Sequence, residues 1–118
     1  MDKHILLLAT TNDFLLKFEA DNVSLLQAMG YTVHYAANME EPDYISDRER
    51  IRAMGVLPHH IAIARSPYLV EGNRRALNQV LALIRRWGIC AIHCHTPVGG
   101  LVGRLAGRLS PAKPVVVY

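Results

Sequence analysis

The sequence predicts an α/β fold, a parallel sheet of about five strands with helices on both faces, and three observations carry that expectation. Short apolar runs recur along the chain, at His4–Ala9, Tyr31–Ala37, His59–Ala64 and from Cys90 onward, each too brief for a helix. Between them lie segments whose apolar residues recur at helical spacing. Gly30, Gly55 and Gly88 then stand where those segments end, as helix terminators do. Strands that alternate with helices demand right-handed crossovers and parallel pairing, which gives a Rossmann-like layer in a single domain spanning residues 1–118.

His4-Ile-Leu-Leu-Leu-Ala9 is continuously apolar, as in a strand covered on both faces, and is expected at the centre of the sheet. Thr10-Thr11-Asn12-Asp13 is a turn rich in N-capping residues. Phe14 to Met29 then carries Leu15, Phe18, Val23, Leu25, Leu26 and Met29 in an imperfect helical stripe, with a break near Asp21-Asn22. Tyr31–Ala37 is the second strand. Ser46 with Glu49 matches a capping box for a short helix running to about Met54. His59–Ala64 is the third strand. Asn73 to Trp87 places Leu77, Val80, Leu81, Ile84 and Trp87 on one helical face, with Arg74, Arg75, Arg85 and Arg86 elsewhere. The fourth strand turns through Thr96-Pro97 into a helix, with Thr96 as N-cap and Pro97 at the first position, until Ser110-Pro111 breaks it. Val115–Tyr118 is the fifth strand.

The composition is that of a globular domain, 51% hydrophobic and 19% charged, which excludes a disordered chain. Its formal charge of +3 is spread over dispersed Lys and Arg with few aromatics, which argues against nucleic acid as a partner. An anionic ligand or a membrane surface suits that charge better. The first apolar run has five residues, too few for a signal segment or a membrane span, so a cytoplasmic location is expected. Cys90 and Cys94 on one strand would stand about 13 Å apart, against the roughly 7 Å a disulfide tolerates, so both should be free thiols.

In a doubly wound sheet, ligands bind beyond the carboxyl ends of the strands where strand order reverses. With the first strand central, that point lies between strands one and four. Thr10, Thr11, Asn12, Asp13 and Phe14 should therefore face one cleft with His95, Thr96, Pro97, Gly99 and Gly100. The start of the last helix offers backbone N–H groups and a partial positive charge to an anion. Gly100 is the glycine expected to admit a ligand, while Gly99, Gly103 and Gly107 share a face that packs on the sheet. His93 and His95 point to one face of their strand and Cys94 to the other. A metal would need a third ligand from His34, His59 or His60, and no metal is expected. His93 should pack in the sheet, while His95 lies open to the cleft as a hydrogen-bond donor or general base. Arg65 after the third strand reaches a phosphate or simply stays solvated. Asp13 binds a sugar hydroxyl or caps a helix. The first loop, Thr-Thr-Asn-Asp, lacks the glycines of a dinucleotide fingerprint, which disfavours NAD.

Leu7-Leu-Ala-Thr-Thr-Asn-Asp-Phe14, the Asn22-Val-x-Leu-Leu and Gly30-Tyr-x-Val-His34 segments, Arg65-Ser-Pro67 and above all Ile92-His-Cys-His-Thr-Pro-Val-Gly-Gly100 with Gly103-Arg-Leu-Ala106 resemble family 4 glycosyltransferases. The likeness is to the N-terminal domain of the bacterial branch that builds capsular polysaccharides and exopolysaccharides, and it covers nearly the whole chain. It implies half of a GT-B architecture and retaining chemistry without a required metal or other cofactor. By the same likeness this domain holds the acceptor, a lipid-linked or free saccharide, at the inner membrane face. The nucleotide sugar is a co-substrate gripped mainly by a C-terminal domain. The chain stops before the family's Thr-x-His-Gly-type segment and paired glutamates, and it lacks a glycine-rich first loop. It is thus expected to need a C-terminal GT-B domain or partner subunit and to be inactive alone, with no catalytic residue of its own and His95 as its best substrate contact. Two other classes compete: a non-catalytic half of a split transferase, and an independent nucleotide-binding module.

Overall fold

A computed structural model describes residues 3–11, 20–38, 45–63, 70–95, 97–111 and 113–117. Five strands and four helices alternate in the order β1 (Lys3–Thr11), α1 (Ala20–Ala28), β2 (Tyr31–Asn38), α2 (Ile45–Ala53), β3 (Leu57–His60), α3 (Val70–Trp87), β4 (Ile89–Cys94), α4 (Pro97–Leu109) and β5 (Val115–Val117). The strands pair in parallel in the order β3-β2-β1-β4-β5. The first strand is therefore central, and the order reverses between β1 and β4, as the alternating pattern predicts.

Strand β1 divides its side chains between two cores, because successive residues of a strand point to opposite faces. Leu6 and Leu8, both fully buried, join Ile61, Ile63, Ala76, Val80 and Ile84, together with Val102 and Ala106, on the face covered by α3 and α4. Ile5, Leu7 and Ala9 join Val23, Tyr35, Ile51 and Val56 on the face covered by α1 and α2. Each fully buried Leu contributes about 1.5–3 kcal/mol of hydrophobic stabilisation, so the single run at the start of the chain ties both layers together.

Helix α4 lies unusually flush on the sheet. A Cβ at Gly103 would overlap the Cys94 sulfur, and one at Gly107 would overlap Val116, so close packing explains both glycines. Helices α1 and α3 end at Gly30 and Gly88, whose φ values of 93° and 67° lie in the left-handed region that an L side chain resists.

Five elements depart from the expected boundaries. Strand β1 continues through Thr10 and Thr11, the residues expected to turn, because Thr11 still pairs with Asn38 of β2. Helix α1 is described from Ala20, with Asp21 and Asn22 in its first turn, and Leu25 and Met29 are exposed rather than part of a buried stripe; the part of the expected helix before Ala20 lies outside the described residues. Helix α2 begins at Ile45, which places Ser46 inside the first turn instead of before it. Helix α3 starts three residues early, at Val70. Strand β3 occupies Leu57–His60 rather than His59–Ala64: the Ile61 N–H still donates to the Ala37 carbonyl of β2 at 3.0 Å, and side chains meet the backbone groups beyond it. Gln79 Oε1 accepts from the Ala62 N–H at 2.7 Å and Asn38 Nδ2 donates to the Ile63 carbonyl at 3.2 Å. Pro58 is tolerated in β3 because that strand is an edge.

Candidate functional site

The candidate cleft forms where β1 and β4 run out side by side. The two strands are in register up to Leu8↔Cys94, and the His95 N–H donates to the Leu8 carbonyl at 2.7 Å one residue beyond β4. Helix α4 begins at Pro97, so its positive end lies next to the last residues of β1, Thr10 and Thr11. The structure thus brings Thr10, Thr11, His95, Pro97, Gly99 and Gly100 to one end of the sheet. Gly99 and Gly100 are both buried in the first turn of α4. Asn12, Asp13, Phe14, Arg65 and Thr96 lie outside the described residues.

His93 of β4 and His95, one residue beyond it, reverse their expected burial. His95 is only 8% exposed, whereas His93 is partly open, and their rings meet with centroids 4.2 Å apart. The cause is backbone attachment: the hydrogen bond to Leu8 holds His95 against β1 after the strand itself has ended. Both rings project to the α1–α2 side, as does Ala91, while Ile92 and Cys94 enter the core under α3 and α4. Burial pushes the Cys94 thiol up to about 11, against a smaller opposing pull from Arg104. Cys94 therefore stays a protonated packing residue beside the cleft, with no thiolate available for attack.

His34 and His59 do not approach the His93–His95 pair, since His34 stands on the opposite face of the sheet. They hydrogen-bond instead to each other and, through His34, to His4. Among the described residues no group of three His, Cys, Asp or Glu side chains is arranged to hold a metal. The histidine chain escaped sequence reasoning, although its signal was present: His4, His34 and His59 each open or occupy a strand, and the parallel register sets them on one diagonal. A cavity of about 730 Å³ between α3 and α4, lined by Leu81, Ile84, Arg85, Leu109, Ser110 and Pro111, opens at the other end of the sheet from the cleft. Among the described residues no helix is long and apolar enough to cross a membrane.

Known proteins carry the same architecture. The MurG protein of Acinetobacter baumannii superposes with a TM-score of 0.62 at 21% identity, over 89% of this chain and 32% of its own. The 4-carboxy-2-hydroxymuconate hydratase GalB of Pseudomonas putida KT2440 superposes with a TM-score of 0.68 at 14% identity, over 100% of this chain and 63% of its own. Likeness of fold at this level of identity leaves the reaction open. Sequence discriminates better. "Putative glycosyltransferase EpsD" of Bacillus subtilis (strain 168) is 32% identical over 109 residues, which cover 92% of this chain and 26% of that protein. The chain thus spans about a quarter of that relative's length. The glycosyl transferase 4-like description fits residues 4–118, taking in the whole sheet and the β1–β4 cleft, and the chain belongs to that family.

Proposed function

We propose that this chain is the acceptor-binding N-terminal domain of a retaining glycosyltransferase that moves a sugar from a nucleotide sugar to a lipid-linked saccharide in polysaccharide biosynthesis. The observation that supports this reading is the β1–β4 switch point. There His95, tied to Leu8, stands beside the glycine-rich first turn of α4. The positive helix end suits the diphosphate of a lipid-linked acceptor, and His95 supplies a ring for a sugar hydroxyl. Thr10, Thr11, Asn12, Asp13, Phe14 and Arg65 complete the proposed acceptor surface. A C-terminal domain or partner subunit would hold the nucleotide sugar, in keeping with the quarter-length match to EpsD. The same mode of action places the protein in the cytoplasm, in peripheral contact with the inner membrane.

The test is binding to the chain alone, followed by NMR shifts at Leu8, His95, Gly99 and Gly100. A short-chain lipid-diphosphate saccharide should move these signals, while UDP-glucose and related nucleotide sugars should leave them in place and undergo no turnover. Tight nucleotide-sugar binding at these residues with no response to the lipid-diphosphate saccharide would instead make the chain an independent nucleotide-binding module.

A further inference from the structure

Starting at His4, at the end of the sheet away from the cleft, three histidines from three neighbouring strands form a hydrogen-bonded chain. His4 Nδ1 and His34 Nε2 are 2.8 Å apart, and His34 Nδ1 and His59 Nε2 are 2.9 Å apart. The parallel register makes this possible. Leu6 pairs with His34 and Ala36 with His59, so the three rings climb the sheet on a diagonal, two residues per strand, on the face covered by α3. Trp87, the last residue of α3, lies over all three, with ring centroids 5.9, 4.9 and 6.2 Å from His4, His34 and His59. His34 is fully buried, while His4 and His59 are partly exposed.

The bonding pattern limits how many protons the chain can carry. Each bond between two imidazoles needs one proton and only one, since two N–H groups face to face repel and two bare nitrogens do not bond. The three rings have six nitrogens. Four are used in the two bonds, and the remaining two, His4 Nε2 and His59 Nδ1, are the outer ends. Three neutral rings supply three protons, which fill both bonds and one outer end. One extra proton fills the other outer end with both bonds intact. A further proton can enter only where two N–H groups would then face each other, so it breaks a bond.

We propose that His4, His34 and His59 are a one-proton relay that clamps β1, β2 and β3 together on a diagonal across the sheet and opens when a second proton binds. The relay balances without any other reactant. A proton that binds His4 Nε2 is matched by transfer of each shared proton to the nitrogen across its bond and by release of the proton on His59 Nδ1. The reverse passage is equivalent. Burial and the charged groups around the relay favour the low proton count. Burial of His34 and His59 opposes a positive charge most strongly, and Arg86 of α3 acting on His59, with His59 and His4 acting on His34, adds in the same sense. From β4 the Cys90 thiol reaches the His4 carbonyl at 3.3 Å, a contact that leaves both His4 ring nitrogens to the relay and to solvent. Trp87 adds an apolar cover and no charge.

The test is long-range proton–nitrogen NMR of the imidazole rings in the ¹⁵N-labelled chain, titrated from about pH 8 to about pH 5. His34 should remain neutral while the three rings together take up a single proton, and backbone signals of β1–β3 should collapse only with the second. Conversion of both His4 and His59 to imidazolium in the folded chain, two protons in all, would overturn the proposal. His34→Phe keeps a ring under Trp87 but cuts the relay. In that variant His4 and His59 should titrate independently and bind two protons between them, and a folded variant that still binds one would also overturn it. The wild-type proton count decides alone if the variant does not fold.

Discussion

The amide of His95 donates to the carbonyl of Leu8 across the point where the strand order reverses, at 2.7 Å and one residue beyond the end of β4. This bond fixes the direction of the chain as it leaves the sheet for α4. It also holds the His95 ring against His93, with only 8% of the residue exposed. A side chain fixed in this way loses little freedom when a ligand binds, so its contacts count fully toward affinity.

His95→Ala should therefore weaken acceptor binding by roughly tenfold, the loss of about one hydrogen bond of 1.4 kcal/mol, with no loss of the Leu8 contact, which belongs to the backbone. Titration calorimetry with a lipid-diphosphate saccharide measures this, and circular dichroism checks that the fold persists. Unchanged affinity in a folded variant would remove His95 from the acceptor surface.

Gly103 is the place where α4 has no room for a side chain. Its added Cβ would overlap the Cys94 sulfur and press on Leu8 at 3.3 Å. Gly103→Ala should cost about 2 kcal/mol, in the range of core overpacking. Cys94→Ala removes the sulfur concerned, so the double variant should recover part of the loss. A double-mutant cycle by urea denaturation should show a coupling of at least about 0.5 kcal/mol. Strictly additive effects would mean that α4 shifts as a whole rather than clashing locally.

Much of this fold was legible in the sequence because its signals are local. The unbroken run Ile5–Ala9 marks a strand buried on both faces, and Pro97 marks the first residue of α4; both readings hold. Strand β3 could not be placed correctly from its own residues. Past Ile61 its backbone is met by distant side chains, Gln79 on the outward-facing Ala62 N–H and Asn38 on the Ile63 carbonyl. The burial of His95 escaped for the same reason, since period-two alternation places its ring on a face but contains nothing about the Leu8 bond. The histidine relay depends on register between three strands, which no single strand encodes.

The two cysteines should differ sharply toward alkylation. Cys90 is exposed at the register shift between His4 and Ile5, whereas Cys94 is buried with its thiol pushed up to about 11. Iodoacetamide at neutral pH should modify Cys90 and leave Cys94 untouched until the chain unfolds, because only the thiolate reacts. Intact mass spectrometry should find one adduct in the native protein and two in urea. Two adducts under native conditions would show that α4 lifts from the sheet.

Acid should destabilise the protein through His34. Burial, and then the neighbouring His59 and His4, push its ring down from 6.5 to about 4. The unfolded chain consequently binds a proton at His34 between those values while the folded chain does not. Stability is then full above about pH 6.5 and falls as the pH drops toward 4, since protons favour the state that binds more of them. The shift sets a scale of roughly 1–3 kcal/mol for the loss. Urea unfolding at about pH 7.5, 6, 5 and 4 measures it. His34→Phe, which cannot bind that proton, should start from a lower stability at pH 7.5 because the bonds to His4 and His59 are gone, yet decline less steeply toward pH 4. Equal slopes in the two proteins would assign the acid sensitivity to other groups and leave His34 a packing residue only.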